Sequence, residues 1–351
     1  MTQWLDEFLL WAHNLGASGL ILREAYPPMV VVDGMALTAT EGETRPVGAL
    51  LREFAVRLAQ DRSIPRNQPF GLGWTFAGHL RARLQVAHDS EGYTLTARLV
   101  DEQVRPLDSF QLSPRNLTHI ARIRRGLVLV CGDIGQGKTT LWRSIVWSLV
   151  QDRSLRVSTI EDPVEFLFRH PLVQQHEIGD SNTYATFISH WLRSDVQVGV
   201  IGEIRDYDTA RYALQAAESG VLVIATMHTE RSVDAPDRLA GFFGATDSPL
   251  ARTQLSYALS TILSPRLVPL LSGGRRMILE SFPIDHTARA IIRSGDTKAL
   301  NDNLRTGGKN TETPMQAWTV EDALVSIKNE IAPTTMVEFA NDPDLCGGAG
   351  R

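Results

Sequence analysis

The 351-residue chain has two cysteines, Cys131 and Cys346. That excludes a disulfide framework and a cysteine-based zinc site, and it points to a reducing, cytoplasmic setting. Long apolar runs are also missing. No stretch approaches the roughly 18 residues a membrane span requires, so any membrane partner is expected to supply its own anchor. The amino terminus carries Asp6 and Glu7 where a secretory signal wants basic residues. Basic excess is lacking as well. A net charge of −5 argues against a chain that wraps nucleic acid, and few aromatic residues stand beside basic ones. No internal repeat is present. The length alone suggests two or three domains, each able to bury a core.

Against these absences, one stretch stands out. Leu127–Cys131 is apolar and too short for a helix, as a fully buried strand would be. It runs directly into Gly132-x-x-x-x-Gly137-Lys138-Thr139, the phosphate-loop pattern, with Gly135 between and Thr140 after it. Glycines let successive backbone N–H groups converge on phosphate oxygens, and a following helix adds its positive end. Lys138 is placed to reach the β- and γ-phosphates, and the Thr139 hydroxyl to ligate Mg²⁺. The bare string arises by chance in roughly one chain of this size in a hundred, and the flanking strand and helix lower that rate further. The pattern implies binding of a nucleoside triphosphate.

Around this stretch the chain has a clear organisation. Trp4, Leu5, Phe8, Leu9, Ala12 and Leu15 recur at helical spacing. Strands are expected at Leu20–Leu22 and Met29–Val32, the second closed by a hairpin signal at Asp33-Gly34, and residues 48–60 return to helical period. From His79 to Val100 the pattern alternates: Leu80, Ala82, Leu84 and Val86 against Arg81, Arg83 and Gln85, then Leu95, Ala97 and Leu99 against Thr94, Thr96 and Arg98. If those two strands pair, Arg81, Arg83 and Arg98 share one face, which is either a solvated basic surface or a site. A small α+β domain over residues 1–103 is therefore expected, with a linker at 104–115. Beyond it, residues 116–351 read as an α/β domain with a helical C-terminal part and a loose tail. Strands at 156–160, 196–201 and 221–226 alternate with helices at 183–193 and 206–219, which implies a mostly parallel sheet. After residue 250 the chain reads as mainly helical, most clearly at 284–293 and 320–330.

Three polar clusters fall at expected strand ends, where open parallel sheets place their ligands. Thr159-Ile-Glu161-Asp162-Pro163-Val-Glu165-Phe166 packs three carboxylates into five residues, fitting either a surface acidic loop or a water or magnesium partner. Val198–Ile201 followed by Gly202-Glu203-Ile-Arg205-Asp206 has the Walker B layout, with Glu203 as a potential Mg²⁺ or water ligand. Thr226-Met-His228-Thr229 ends a third strand, although a single histidine carries little weight alone.

Taken in order, these boxes make the chain resemble the secretion-superfamily traffic ATPases, most closely the type IV pilus retraction (PilT-like) branch, with type IVB secretion and conjugation ATPases as relatives. The resemblance runs from about residue 4 to 330. It includes Gly16–Leu20, Pro27–Gly34, Arg124–Val130, the phosphate loop, the boxes at 159–166, 202–206 and 226–229, Ala217–Gly220, Ala288–Arg293 and Arg305–Gly308. It implies a RecA-like P-loop domain preceded by a PAS-like α+β domain. It also implies hydrolysis of ATP with Mg²⁺ by a cytoplasmic homohexamer that works on an inner-membrane platform protein of a pilus or secretion machine. By resemblance Glu165 and Glu203 are both needed for hydrolysis, without deciding which is the base. His228 matches a γ-phosphate sensor. Arg81, Arg83 and Arg98 match N-terminal-domain arginines, some of which contact nucleotide across a subunit boundary.

The chain also departs from that pattern. The absence of the four-cysteine zinc insert of many assembly and type II secretion ATPases favours the retraction-like branch, but Gly19 replaces an Asp, Ser189 an Arg, Val196-Gln197 a Pro-Asp and Val221 a His. These changes fit a divergent branch or reduced turnover. Two other function classes share the core: a nucleic-acid translocase, which DNA-stimulated hydrolysis would reveal, and a non-hydrolysing nucleotide-binding regulator, which a turnover assay would separate.

Overall fold

The computed structural model describes residues 3–32, 35–38, 47–61, 68–78, 80–100, 103–178, 183–306 and 317–342. The hairpin signal at Asp33-Gly34, His79, Gly307-Gly308, Cys346 and most of the glycine-rich tail lie outside them. The chain divides into two compact units. One comprises residues 1–103 together with 161–168, and the other residues 104–160 and 169–351. No helix among the described residues is long and apolar enough to cross a membrane.

In the first unit, helices α1 (Gln3–Asn14) and α2 (Val47–Asp61) accompany six strands: β1 (Gly19–Arg23), β2 (Tyr26–Val32), β3 (Met35–Thr38), β4 (Phe70–Phe76), β5 (Leu80–Asp89) and β6 (Gly92–Val100). The strands form one sheet in the order β3-β2-β1-β6-β5-β4. The helical period of α1 buries Trp4, Leu5, Phe8, Leu9 and Ala12, whereas Leu15 lies beyond the helix and is exposed. The alternation in β5 and β6 resolves as its spacing demands. Leu80, Ala82, Leu84, Val86, Leu95 and Ala97 are buried in one core with the α1 residues. Arg83 stands directly opposite Arg98, and Arg81 opposite Val100, so the three arginines occupy the other face.

The second unit contains helices α3 (Pro114–Arg122), α4 (Lys138–Arg153), α5 (Tyr184–Trp191), α6 (Tyr207–Glu218), α7 (Ala235–Gly241), α8 (Gly244–Ala258), α9 (His286–Ser294), α10 (Thr297–Thr306), α11 (Val320–Ser326) and α12 (Pro333–Phe339). Its strands are β7 (Gly126–Cys131), β8 (Val157–Glu161), β9 (Val173–Glu177), β10 (Val198–Ile201), β11 (Leu222–Met227), β12 (Leu259–Pro269) and β13 (Arg275–Pro283). They line up as β13-β12-β7-β11-β10-β8-β9. The run from β12 to β8 is parallel, and β13 returns antiparallel to β12.

Two expectations change here. The region after residue 250 holds more helix than strand but is not helical throughout, because β12 and β13 form a long hairpin that extends the sheet beside β7. Its strands carry scattered polar residues such as Ser264, Arg266 and Glu280, which hide the period of two. The helix expected at 320–330 stops at Ser326, and Lys328 to Glu330 continue as turn. The stretch read as a linker is also more ordered than its composition suggests. Leu107–Phe110 is a 3₁₀ turn, and Ser113 caps α3 by accepting from Asn116 N at 3.2 Å.

The core of the second unit closes around the parallel strands, with Leu127, Leu129, Ile160, Ile201, Val223 and Ala225 all buried. Trp191, at the end of α5, lies over β10 and donates its indole N–H to the buried Ser158 Oγ on β8 at 2.7 Å. Gly199 in the middle of β10 makes room for that ring, since a β-carbon there would meet Trp191 Cη2 at 2.8 Å and other ring atoms more closely. Gly199→Ala is therefore expected to cost about 1–3 kcal/mol through overpacking. Chemical denaturation measures the loss, and an unchanged midpoint would contradict this packing.

Candidate nucleotide site

Strand register gathers the polar strand ends. Met227 pairs with Cys131, and Ile201 pairs with Ala225, so Glu203, His228 and the start of the phosphate loop all emerge at the same edge of the sheet. The loop itself follows β7 through three left-handed or otherwise glycine-favouring positions, Gly132 (φ 141°), Gly135 (φ 80°) and Gly137 (φ 89°). Gly137 is the N-cap of α4 and gives it no side-chain cap. The first-turn N–H groups of α4 thus have no side-chain acceptor, and with the helix dipole they favour an anion. Gln136 fixes the loop from the side by accepting from Leu267 N of β12 at 2.8 Å.

Lys138 is buried. Its Nζ donates to the carbonyls of Gly132 (2.6 Å) and Asp133 (2.9 Å) and reaches His228 Nδ1 at 3.2 Å. No carboxylate is within ion-pair distance of it among the described residues. Burial pushes its ammonium below the ordinary lysine value, opposed by the negative charge of Glu203. The other face of the imidazole meets Glu203, with His228 Nε2 at 3.3 Å from Oε1, while Glu203 Oε2 takes Arg205 Nε at 3.1 Å. With Nδ1 accepting from the Lys138 ammonium, Nε2 is the ring nitrogen nearest the carboxylate. A continuous line of polar contacts therefore runs Lys138–His228–Glu203–Arg205, a hydrogen bond at its first link and ion pairs at the other two. It holds two fixed cations and one anion beside a loop built for phosphate.

The remaining sequence-derived residues form a second group, in the first unit. Arg83 Nη1 donates to Glu165 Oε1 at 3.2 Å, and Arg81 donates to Thr75 Oγ1 at 3.0 Å and to the Val164 carbonyl. Gly73 leaves space for the Arg81 head group, which a β-carbon would strike. Arg98 is exposed and makes no hydrogen bond or ion pair among the described residues. Its register partner is Arg83, and like charges directly opposite repel. Glu165 relieves that repulsion for Arg83 only.

Thr139 and Thr140 are half-buried in the first turn of α4. No group of three or more His, Cys, Asp or Glu side chains able to hold a metal occurs among the described residues. Glu161 ends β8 and is buried, and Asp162 follows it. Two participants escape a reading of the sequence. Arg205 is visible in the Walker B string, but its pairing with Glu203 depends on both residues leaving β10 on the same side. Gln136 carries no signal, because its partner lies 131 residues away.

A family model described as "Type II/IV secretion system protein" matches residues 58–276. The chain belongs to this family. It is a PilT-like member of the secretion superfamily of ATPases. It is 33% identical over 308 residues to "Uncharacterized protein YggR" of Escherichia coli K12, covering 86% of this chain and 93% of that one. It is 28% identical over 309 residues to the type IV pilus retraction ATPase PilT of Pseudomonas aeruginosa, covering 87% and 89%. The crystal structure of the pilus retraction motor PilT with bound ADP superposes with a TM-score of 0.80 at 27% identity, over 97% of each chain. The α/β fold and mixed sheet of this family member are those of that motor.

The backbone of the loop carries a direct test. Gly137→Ala would force a side chain into φ 89° and bring its β-carbon to 2.6 Å from Met277 Cε. Nucleotide binding should weaken at least about tenfold from this strain, while the melting temperature falls only modestly. Native affinity in calorimetry would show that the loop tolerates a different shape.

Proposed function

We propose that this chain is an ATP-hydrolysing motor subunit of a pilus or secretion machine. The observation that carries the reading is the Lys138–His228–Glu203–Arg205 chain at the mouth of the phosphate loop. In this reading the second unit is a RecA-like ATPase domain and the first a PAS-like domain. Six copies form a ring in the cytoplasm, and the ring works on an inner-membrane platform protein that supplies the membrane anchor. The relatives named for pilus retraction support the motor assignment.

ATP bound over the loop offers Lys138 charged oxygens in place of two neutral carbonyls, which stabilises a buried ammonium that otherwise has only neutral acceptors. The free N–H groups opening α4 take the remaining phosphate oxygens. Thr139 and Glu203 fit a magnesium ion, which keeps few protein ligands and completes its shell with phosphate oxygens and water. When bound, Mg²⁺ neutralises charge on the β- and γ-phosphates. Glu203 accepts the proton of the attacking water, and Arg205 and His228 hold its two oxygens in place. His228 touches both the phosphate-binding lysine and this base, so it is positioned to report γ-phosphate occupancy to Glu203. Glu165 acts by holding Arg83.

Two measurements test the hydrolytic site. Lys138→Ala should abolish turnover in a folded protein. Glu203→Gln keeps size and hydrogen bonding, so nucleotide should still bind while turnover falls by about 10²–10⁴. Turnover that survives Glu203→Gln would remove Glu203 as the base.

The ring itself makes a further expectation. Of the three arginines, Arg98 has no partner among the described residues, so we assign it to the nucleotide of a neighbouring subunit. An arginine supplied in trans contributes about 10³–10⁵ in rate, against about 0–1 kcal/mol for an exposed ion pair. Arg98→Ala and Lys138→Ala subunits should each be inactive alone and regain partial activity when mixed. Native turnover by Arg98→Ala rings, or no recovery under verified subunit exchange, would refute the assignment.

A further inference from the structure

The opposite edge of the second unit's sheet, where β7, β8, β10 and β11 begin, also bears charge. A cleft of about 500 Å³ opens there, lined by Arg124, Arg153, Arg156, Asp195, Gln197 and Val221 among others. Arg124 Nη1 donates to the carbonyls of Ala121 (2.5 Å) and Ile123 (3.3 Å), and Arg153 Nη1 donates to the same Ile123 carbonyl at 3.0 Å. Both guanidinium groups thus converge on the last carbonyls of α3.

Capping a helix end is a sufficient reason for one arginine. It does not account for two like charges held together, each using one nitrogen and leaving Nε and Nη2 without an acceptor among the described residues. Burial first, and then the charge of Arg124, push the Arg153 guanidinium below the ordinary arginine value. Arg156 makes only a long contact, 3.5 Å, to the mostly exposed Asp195. The lining therefore sets three arginines against one carboxylate.

The departures from the family pattern fall in the same place. Val196-Gln197 stands where the pattern has Pro-Asp, Val221 where it has His, and all three residues line the cleft. Gln197 Oε1 accepts from Arg156 N at 3.1 Å, a bond that a glutamate of the same length could make equally well. The carboxamide keeps the backbone contact and removes a negative charge from beside the arginines. In this chain the cleft is more positive than the family pattern would make it.

We propose that this cleft is an anion site, separate from the phosphate loop, that takes a phosphate-bearing ligand of nucleotide size. Paired guanidinium forks suit phosphate oxygens in bidentate geometry. The volume lies within the usual range for small-molecule sites. Leu155, Val196 and Val221 give the rest of the ligand an apolar wall. The phosphate can belong to a free nucleotide-like molecule or to a lipid headgroup, and the experiment separates these sources.

The test uses the full chain carrying Lys138→Ala, which weakens competing binding at the phosphate loop. Equilibrium dialysis measures inorganic pyrophosphate binding. Cosedimentation measures binding to phosphatidylcholine vesicles with and without phosphatidylglycerol. Gln197→Glu and Arg153→Gln should each weaken binding about tenfold, the loss expected for one charged contact. Because Arg153→Gln also loosens the end of α3, Gln197→Glu decides the matter, since it preserves the acceptor for Arg156 N. Pyrophosphate binding lost in Gln197→Glu identifies a soluble ligand, and vesicle binding alone, lost in the same variant, identifies a headgroup. With Lys138 restored, Gln197→Glu should leave ATP turnover unchanged. Binding that neither substitution alters, or no binding to either probe, overturns the proposal.

Discussion

The register of three parallel strands is the constraint on which the candidate nucleotide site depends. β11 lies between β7 and β10, and its pairing with both fixes how far each strand projects before it turns. Shifting β11 by one residue would turn its inward side chains outward and would carry His228 away from both Lys138 and Glu203. The apolar core beneath is therefore what keeps an imidazole within hydrogen-bond reach of an ammonium and a carboxylate. Packing and chemistry are specified by the same residues: Val223 and Ala225 set the register, and His228 uses it.

Electrostatics complete what register begins. A buried lysine with only neutral acceptors is costly in the folded protein, and that cost is reduced when anionic oxygens arrive. The first unit shows the same economy in another form. Arg83 and Arg98 face each other across β5 and β6, Glu165 satisfies one of them, and the second remains exposed. In both places the fold leaves positive charge incompletely matched among the described residues, which separates these groups from ordinary surface ion pairs.

Much of this was legible in the sequence, for physical reasons that can be named. The phosphate-loop pattern is local: its glycines, lysine and threonine lie within a few residues of one another, so spacing alone displays it. The alternation of β5 and β6 is equally local, and it placed Arg81, Arg83 and Arg98 on one face correctly. Features that depend on distant pairing were hidden. The β12–β13 hairpin reads as helix because its polar residues are satisfied by partners elsewhere: Ser281 donates to Asn116 Oδ1, and Glu280 accepts from Ser232 and from Val320 N. The Arg83–Glu165 contact joins positions 82 residues apart, and no periodicity could announce it.

The long reach of the contacts around β7 has a consequence for how the protein is made. Both neighbours of β7 in the sheet, β11 and β12, follow it in the chain, and the Gln136 side chain waits for Leu267 to fix the loop. At ribosomal speeds of about 5–20 residues per second, those 131 residues take on the order of ten seconds to appear. Until β11 emerges at Leu222 the chain carries an apolar strand, Leu127–Cys131, with neither edge covered, and one edge stays open until β12 follows. The phosphate loop acquires its shape late in synthesis, when the hairpin arrives, and a chain arrested before residue 267 would display the entire motif without the contact that sets it.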